Sequence, residues 1–302
     1  MSFDIYELVT NRIIEQLEQG VIPWHKPWKT GLNIKGAEDL KKVAFNRVTK
    51  TAYSALNQML LSRAGEYASF KQWKELGGSI KKGAKSEIVV FWKMYQIKDE
   101  KLSTENETIF KKIPLLKYMQ VFHIEDVTGV NPLEIQDEKT PAEFEPVEQA
   151  EELAKTYLER EKIDFAFGGD SAYYSPTMDC IQLPNKYQFG QKSGEYYSTL
   201  FHEITHSTGA KHRLDRFSSN AFFGNEDYSK EELVAEIGAS GILNLLNIEK
   251  KSTFQNSVAY IQGWLKKLKD DKKLIVSASA RAEKAIKYII NGKTEEEQGA
   301  DE

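Results

Sequence analysis

Residues 194–209 read GEYYSTLFHEITHSTG, and this stretch decides the fold of the second half of the chain. Its apolar residues recur at helical spacing; they are Tyr197, Leu200, Phe201 and Ile204. Gly209 is a typical helix stop. On such a helix His202 and His206 lie one turn apart on the same face, so that both imidazoles can bind one divalent ion beside Glu203. The stretch therefore predicts a single catalytic zinc ion, with Glu203 as the base that takes a proton from water.

A catalytic zinc takes three protein ligands and leaves one position open. His212 would complete a metzincin pattern, but that class needs a methionine after the motif, and all five methionines precede it. Gluzincins instead take a glutamate from a later helix, followed four residues on by an acid that hydrogen-bonds the first histidine. We therefore predict Glu232 as the third ligand and Glu236 as the carboxylate behind His202. Glu231 is the alternative ligand if the helix phase differs by one residue.

Each part of this site has a structural alternative. The two histidines could make ordinary hydrogen bonds without a metal. Residues 229–232 (Ser-Lys-Glu-Glu) also fit a capping box, in which Glu232 would bond the backbone at the start of its own helix. The ligand role of Glu232 is the one that we favour, because a catalytic zinc needs a third protein ligand.

A peptidase would also need to hold its substrate. Zinc proteases usually add the substrate to a sheet edge, and residues 173–179 (YYSPTMD) contain a proline that suits an edge strand. A purely structural hairpin fits the same residues equally well. Tyr228, His212 and Arg213 are the candidates for stabilising the developing oxyanion.

The charge of the chain is distributed unevenly. The 302 residues have a net charge of −4, but residues 41–98 contain 12 basic and 3 acidic residues. Aromatic residues alternate with lysines and arginines in this first half. A positive groove with aromatic faces is what single-stranded nucleic acid requires, whereas the alternative is a set of core aromatics beside a solvated charged face. The predicted DNA contacts are Trp24, Trp28, Arg47, Lys50, Tyr53, Lys71, Trp73, Lys81, Lys82 and Lys85.

The pattern of elements predicts an α+β protein of two domains. In the first domain (1–126) we expect helices over 51–63 and 69–76, and a hairpin of strands over 86–97 and 115–124. A linker rich in proline and acids follows (127–148). The second domain (149–293) is predicted to be a gluzincin-like metallopeptidase with a small sheet and several helices. Residues 294–302 are predicted to form a disordered acidic tail.

The chain has one cysteine, Cys180, so that no intrachain disulfide can form. No signal-peptide pattern and no apolar stretch of membrane-spanning length are visible. We therefore expect a cytoplasmic protein without a membrane partner.

Several motifs in order resemble the ArdC family of antirestriction proteins from mobile genetic elements. In the first half these are NRVTKTAYSALNQMLL, FKQWKELGGSIKKGAKSEIVVFW and YMQVFHIED; in the second half they are AYYSPTMDCIQLP, HEITHSTGAKHRLDR and YSKEELVAEIGA. The chain departs from the family pattern at residues 67–70, which lack a tryptophan often found there.

This resemblance implies an N-terminal domain that binds single-stranded DNA, also found in TraC-type primases, and a zincin-like metallopeptidase domain acting on an unknown protein substrate. It also implies a role in protecting incoming DNA from restriction, with no metal ligand at His212. The rival hypothesis is a DNA-protecting protein without peptidase activity, whose metal site is structural or vestigial.

Overall fold

The computed structural model describes residues 4–25, 43–98, 110–133, 146–189, 193–217, 226–248 and 254–292. Its mixture of helices and small sheets confirms the predicted α+β class. The first half contains helices α1 (Ile5–Glu18), α2 (Ala55–Leu60) and α3 (Phe70–Glu75) and strands β1 (Ala44–Asn46), β2 (Gly65–Ala68), β3 (Ser79–Ile80), β4 (Glu87–Lys98), β5 (Phe110–His123) and β6 (Val127–Thr128).

The main sheet of the first half has the strand order β1-β2-β5-β4. β4 and β5 form the predicted hairpin, in register from Glu87 opposite Val121 to Lys98 opposite Phe110. The second strand begins at Phe110 rather than 115, so that the ribbon is longer than the sequence pattern indicated. β1 and β2 pair in parallel at the other edge.

The first predicted helix, over 51–63, is shorter in the structure. The backbone N–H of Tyr53 donates to the carbonyl of Ala44 in β1, which keeps this part of the chain extended. Ser54 then caps α2, because its hydroxyl accepts from the N–H of Asn57. Tertiary pairing with β1 therefore overrides the local helical pattern before residue 55.

The first residues of the predicted linker (127–148) have regular structure. Residues 127 and 128 form β6, which pairs with β3 in a two-stranded sheet. The predicted linker therefore starts inside a folded part of the chain. Its later part, 134–145, and the predicted tail at 294–302 lie outside the described residues.

The second half contains helices α4 (Pro146–Glu161), α5 (Ser193–Ser207), α6 (Glu226–Leu245), α7 (Phe254–Asp270) and α8 (Leu274–Asn291) and strands β7 (Asp164–Phe167), β8 (Tyr173–Ser175) and β9 (Cys180–Leu183). The three strands have the order β7-β9-β8, with β8 antiparallel to β9 and at the edge. The predicted small sheet followed by helices is confirmed.

One hydrophobic core joins the two halves of the chain. Val9 and Ile13 on α1 pack in the same cluster as Leu233 on α6 and Leu268 on α7, and all four are 0% exposed. A second core lies within the second half, between α4, the small sheet and α5, α6 and α8. The N-terminal helix therefore stabilises the helical part of the second domain.

Two tryptophans predicted to contact DNA are buried, Trp24 in the shared core and Trp73 in a smaller cluster with Ala68, Ile124 and Val127. Trp24 is 4% exposed, and its ring packs edge-on against Trp264 at 6.1 Å between ring centroids. Trp73 is 0% exposed, and its Nε1–H donates to the carbonyl of Phe122 at 2.9 Å. Both rings are covered by protein, so that neither can stack on a base in this fold, and these two predictions are corrected.

Because the shared core includes α1, truncation of Ile13 to Ala should destabilise the whole protein. Removing this fully buried side chain leaves a cavity that costs about 2–5 kcal/mol in unfolding free energy. Urea unfolding followed by tryptophan fluorescence and by far-ultraviolet circular dichroism would measure the loss. Asn11→Ala on the exposed side of α1 is the control and should change stability by less than about 0.5 kcal/mol. A stability of Ile13→Ala equal to that of the control would contradict the shared core.

Candidate metal centre

Helix α5 carries the two histidines because its opposite face is anchored in the core. Leu200, Phe201 and Ile204 are 2%, 0% and 0% exposed, which fixes the rotation of the helix. His202 and His206 then face the same cleft, with their Nε2 atoms 3.1 Å apart. The spacing of four residues therefore produces the geometry that the sequence predicted.

Helix α6 contributes Glu232 to the same place. Its two carboxylate oxygens lie 3.5 Å from His202 Nε2 and 3.4 Å from His206 Nε2. Metal–ligand bonds of about 2.0–2.2 Å in a tetrahedron place neighbouring ligand atoms roughly 3.4 Å apart. The ligand atoms of the three residues thus fit one divalent ion, and two nitrogens with one carboxylate form a donor set that suits zinc.

Close contact between α5 and α6 brings Glu232 to the histidines. At Gly238 on α6, a Cβ atom would lie 2.6 Å from Thr205 Cγ2 and 2.8 Å from Thr205 Oγ1 on α5. Thr205 is itself 0% exposed and cannot move aside. The absence of a side chain at Gly238 is therefore a condition for the approach of the two helices.

The capping-box alternative for Glu232 is wrong. α6 begins at Glu226, so that Ser229 lies inside the helix rather than before its first turn. A capping box requires its serine at the N-cap position. Glu232 is therefore in the second turn of α6, with its carboxylate directed to the histidines.

Glu231, the predicted alternative ligand, instead lies behind His206. Its Oε1 is 3.6 Å from His206 Nδ1, the ring nitrogen that faces away from His202. Arg216 holds this carboxylate with two hydrogen bonds, of 3.1 and 2.6 Å. A carboxylate behind a ligating imidazole fixes its orientation and raises its basicity. Burial opposes protonation of His206, but hydrogen bonds to Glu231 and Glu232 outweigh it and raise its pKa to about 9.

Sequence reasoning gave this supporting role to Glu236 toward His202 and did not foresee the contact of Glu231 with His206. Glu236 is half-buried one turn after Glu232, and its contact with His202 stays a prediction. The available signal in the sequence was a second acid, Glu231, directly before the predicted ligand Glu232. Only the structure shows that this acid lies beside His206 Nδ1, where Arg216 holds it.

His212 and Arg213 lie away from the metal ligands. His212 Nε2 is 3.3 Å from Asp179 Oδ2, and its side chain is 62% exposed. The guanidinium of Arg213 binds both carboxylate oxygens of Asp179 at 2.8 Å each. Both side chains therefore bind Asp179 in the loop before β9. In this position His212 is not a metal ligand, and neither side chain stabilises an oxyanion. The side chain of Tyr228, the third such candidate, lies outside the described residues.

Glu203 lies beside the ligands and is 7% exposed. Burial raises the pKa of its carboxyl group, and the charges of His202 and His206 partly oppose this shift. Tyr174 belongs to the edge strand β8, which borders the same cleft as Glu203. Tyr173 and Tyr174 line one wall of a cleft of about 440 Å³, with the three ligand residues and Glu203 on the other side.

The predicted DNA contacts are dispersed over the first domain. Lys50, Lys71, Lys81, Lys82 and Lys85 are exposed, and Tyr53 is half-buried. Arg47 forms an ion pair with Glu66, and both side chains are largely buried. Trp28 lies outside the described residues. The structure thus leaves the five lysines accessible to a polyanion.

Comparison with known proteins identifies both domains. The model of the N-terminal domain of anti-restriction factor ArdC matches residues 3–122, and a zincin-like metallopeptidase model matches residues 150–281. Crystal structures of the antirestriction protein ArdC from plasmid R388, one metal-free and one with Mn(II), each match with TM-score 0.69 and 33% sequence identity over 95% of this chain and 97% of that chain. The chain belongs to the ArdC antirestriction family. The resemblance seen in its sequence motifs is thereby confirmed.

Members and relatives of the ArdC family differ greatly in length. Two proteins named DNA primase TraC from Escherichia coli are 33% and 31% identical over 94% of this chain. The chain spans only 20% and 27% of these primases. The uncharacterized protein y4eC of Sinorhizobium fredii is 31% identical, with 95% of this chain and 91% of that protein covered. Among the described residues, no helix has the length and apolarity needed to cross a membrane.

Glu232→Ala should lose stoichiometric zinc, because it removes one of three ligands. Glu231→Ala keeps the ligands but frees the ring of His206, so that zinc affinity should fall about 10–100-fold. Metal analysis of the purified variants and competition with a chromophoric chelator would measure both effects. Glu236→Ala is the comparison on the next turn of α6. Retention of zinc by Glu232→Ala together with its loss in Glu236→Ala would refute the ligand assignment.

Proposed function

We propose that this ArdC-family protein binds single-stranded DNA with its N-terminal domain and hydrolyses peptide bonds at a zinc site in its second domain. The observation that carries the peptidase part is the buried Glu203 beside three convergent metal ligands. A structural zinc site is usually closed by four protein ligands, whereas a catalytic site keeps a position open. Among the described residues, three ligand groups converge here.

The chemistry follows from the residues around the cleft. His202, His206 and Glu232 would hold the zinc ion, which would supply Lewis acidity toward water and a carbonyl. Glu203 accepts a proton at its carboxylate and later gives it to the leaving amine. Its raised pKa suits both roles, because the carboxyl group must bind and release a proton near neutral pH.

The edge strand β8 gives a peptide a place to bind. β8 ends the order of its three-stranded sheet, and its residues Tyr173 and Tyr174 line the metal cleft. An extended peptide added to this edge would use backbone hydrogen bonds for affinity. Tyr174 and Glu203 line the same cleft, so that a peptide on this edge would lie beside the proton acceptor.

A purely structural metal is disfavoured by the R388 relative. Its metal-free and Mn(II)-bound crystal structures match this chain with the same TM-score of 0.69. The overall fold of that relative is therefore maintained without the metal. This supports a functional rather than a stabilising role for a metal at the candidate site of this chain.

Glu203→Gln should retain zinc and abolish peptide hydrolysis, because the amide cannot accept the proton. The assay would follow cleavage of fluorescein-labelled casein and self-cleavage of the protein, with and without an unlabelled single-stranded oligonucleotide. Glu159→Gln, an exposed residue on α4, is the control and should keep wild-type activity. Absence of cleavage by the zinc-loaded wild-type protein under all these conditions would refute the peptidase proposal.

The DNA-binding part rests on the match to the ArdC N-terminal domain, the relation to TraC primases and the exposed lysines of the first domain. Lys82 and Lys85 lie in the exposed turn between β3 and β4. A protein that neutralises phosphates releases counterions, so that its affinity falls steeply with salt.

Lys82→Gln/Lys85→Gln in the full chain should weaken binding and reduce the salt dependence. For single strands, each lost phosphate contact lowers the slope of log affinity against log salt by about 0.7. Fluorescence anisotropy of a labelled oligonucleotide would determine this slope between about 50 and about 200 mM salt. Lys155→Gln/Lys211→Gln, which removes two exposed lysines from the second domain, is the control. Equal slopes for all three proteins would exclude the turn as a phosphate contact.

A further inference from the structure

The hairpin of β4 and β5 exposes an unusual number of large apolar side chains. Eight large apolar or aromatic residues of the two strands are at least 39% exposed, among them Phe91 at 41%, Trp92 at 48% and Phe110 at 61%. Contiguous exposed apolar surface of this kind marks an interaction site in a folded protein. None of these residues was among the predicted DNA contacts.

The register of the hairpin divides these side chains between two faces. Residues directly opposite each other in an antiparallel pair point to the same side, and successive residues alternate. Phe91 is opposite Lys117, Lys93 opposite Leu115, and Ile97 opposite Lys111. With Tyr95, these residues form one face, which we call the lysine–aromatic face. The other face carries Trp92, Met94 and Pro114, with Lys112 near the end of the ribbon.

Charge distinguishes the strands from an ordinary protein-binding surface. Apart from Glu87, which begins β4 and pairs with Arg63, the two strands contain five lysines and no aspartate or glutamate. Three of the lysines belong to the lysine–aromatic face, and two of these surround one ring: Lys93 Nζ and Lys117 Nζ lie 5.4 and 5.5 Å from the centroid of Tyr95. The acids of the connecting segment 99–109 lie outside the described residues.

We propose that the lysine–aromatic face of the hairpin is the surface on which single-stranded DNA binds, with bases stacked on Phe91 and Tyr95 and phosphates on Lys93, Lys111 and Lys117. This inference rests on the proposed function and names the site of its DNA-binding part. The excess of lysines, with Glu87 as the single acid of these strands, favours a polyanion over an ordinary protein partner. The exposed ring of Phe91 selects unpaired bases over a duplex, because only unstacked bases offer a free face to an aromatic side chain.

The test compares two variants of the full chain with matched composition. Phe91→Ser/Lys117→Gln removes one apolar group and one charge from the lysine–aromatic face. Met94→Ser/Lys112→Gln removes the same from the opposite face. Anisotropy titrations with labelled oligothymidylate and with a duplex of equal length would measure affinity, and unfolding midpoints would show that both variants are folded. We expect at least about tenfold weaker binding of the single strand for the first variant, as for loss of a stacked base, and little change for the second.

A single-residue series separates stacking from apolar contact. Phe91→Trp keeps an aromatic face and should bind oligothymidylate as the wild type does. Phe91→Leu keeps an apolar side chain without a ring and should bind it about tenfold more weakly. Equal affinity of the Trp and Leu variants would overturn the stacking role.

The outcomes distinguish this inference from the function on which it rests. If the wild type binds oligothymidylate and both double variants bind it equally well, DNA binding stands but its site lies elsewhere, and the inference fails. If only Met94→Ser/Lys112→Gln weakens binding, the opposite face is the site and the inference fails. If the wild type binds no single strand at all, the proposed function itself fails.

Discussion

The close packing of α5 against α6 is the contact on which the metal centre depends. The two histidines come from one helix and Glu232 from another, so that their convergence requires the helices to approach closely. Gly238 allows this approach, since any side chain there would collide with the buried Thr205. The chemistry of the site is therefore set by a steric condition about two turns away from Glu232.

The same helix connects the metal centre with the N-terminal domain. While Glu232 faces the cleft, Leu233 and its neighbours on α6 pack with Ile13 of α1 in the shared core. The position of the third ligand thus depends on apolar contacts with the first residues of the chain. The two domains that match separate family models are joined through this core. Helix α6 carries a ligand group of the second domain and also packs against α1 of the first.

Charge is arranged in two layers around the histidines. The ligand groups are two imidazoles and one carboxylate, while Glu231 and Arg216 form a buried ion pair behind His206. Arg216 also donates to the carbonyl of Thr205 and to the hydroxyl of Thr208, so that it holds the end of α5 as well as the carboxylate. A buried carboxylate without such a partner would carry a large desolvation cost. Arg216 therefore contributes both to the orientation of the His206 ring and to the end of helix α5.

The sequence by itself determined the features that depend on local spacing: the face of α5 that carries His202 and His206, the choice of Glu232 over His212 as their partner, the β4–β5 hairpin and the family. These follow from periods of 3.6 and 2 residues and from motifs read in order. Only the tertiary structure decided which aromatic residues are covered, that residues 127 and 128 form a strand, and that Glu231 contacts His206. Burial and hydrogen-bond partners depend on residues far apart in the chain: Trp73 meets Phe122, and Arg216 meets Glu231. Such contacts produce no periodic pattern in the sequence, because they form only when separate helices and strands pack together.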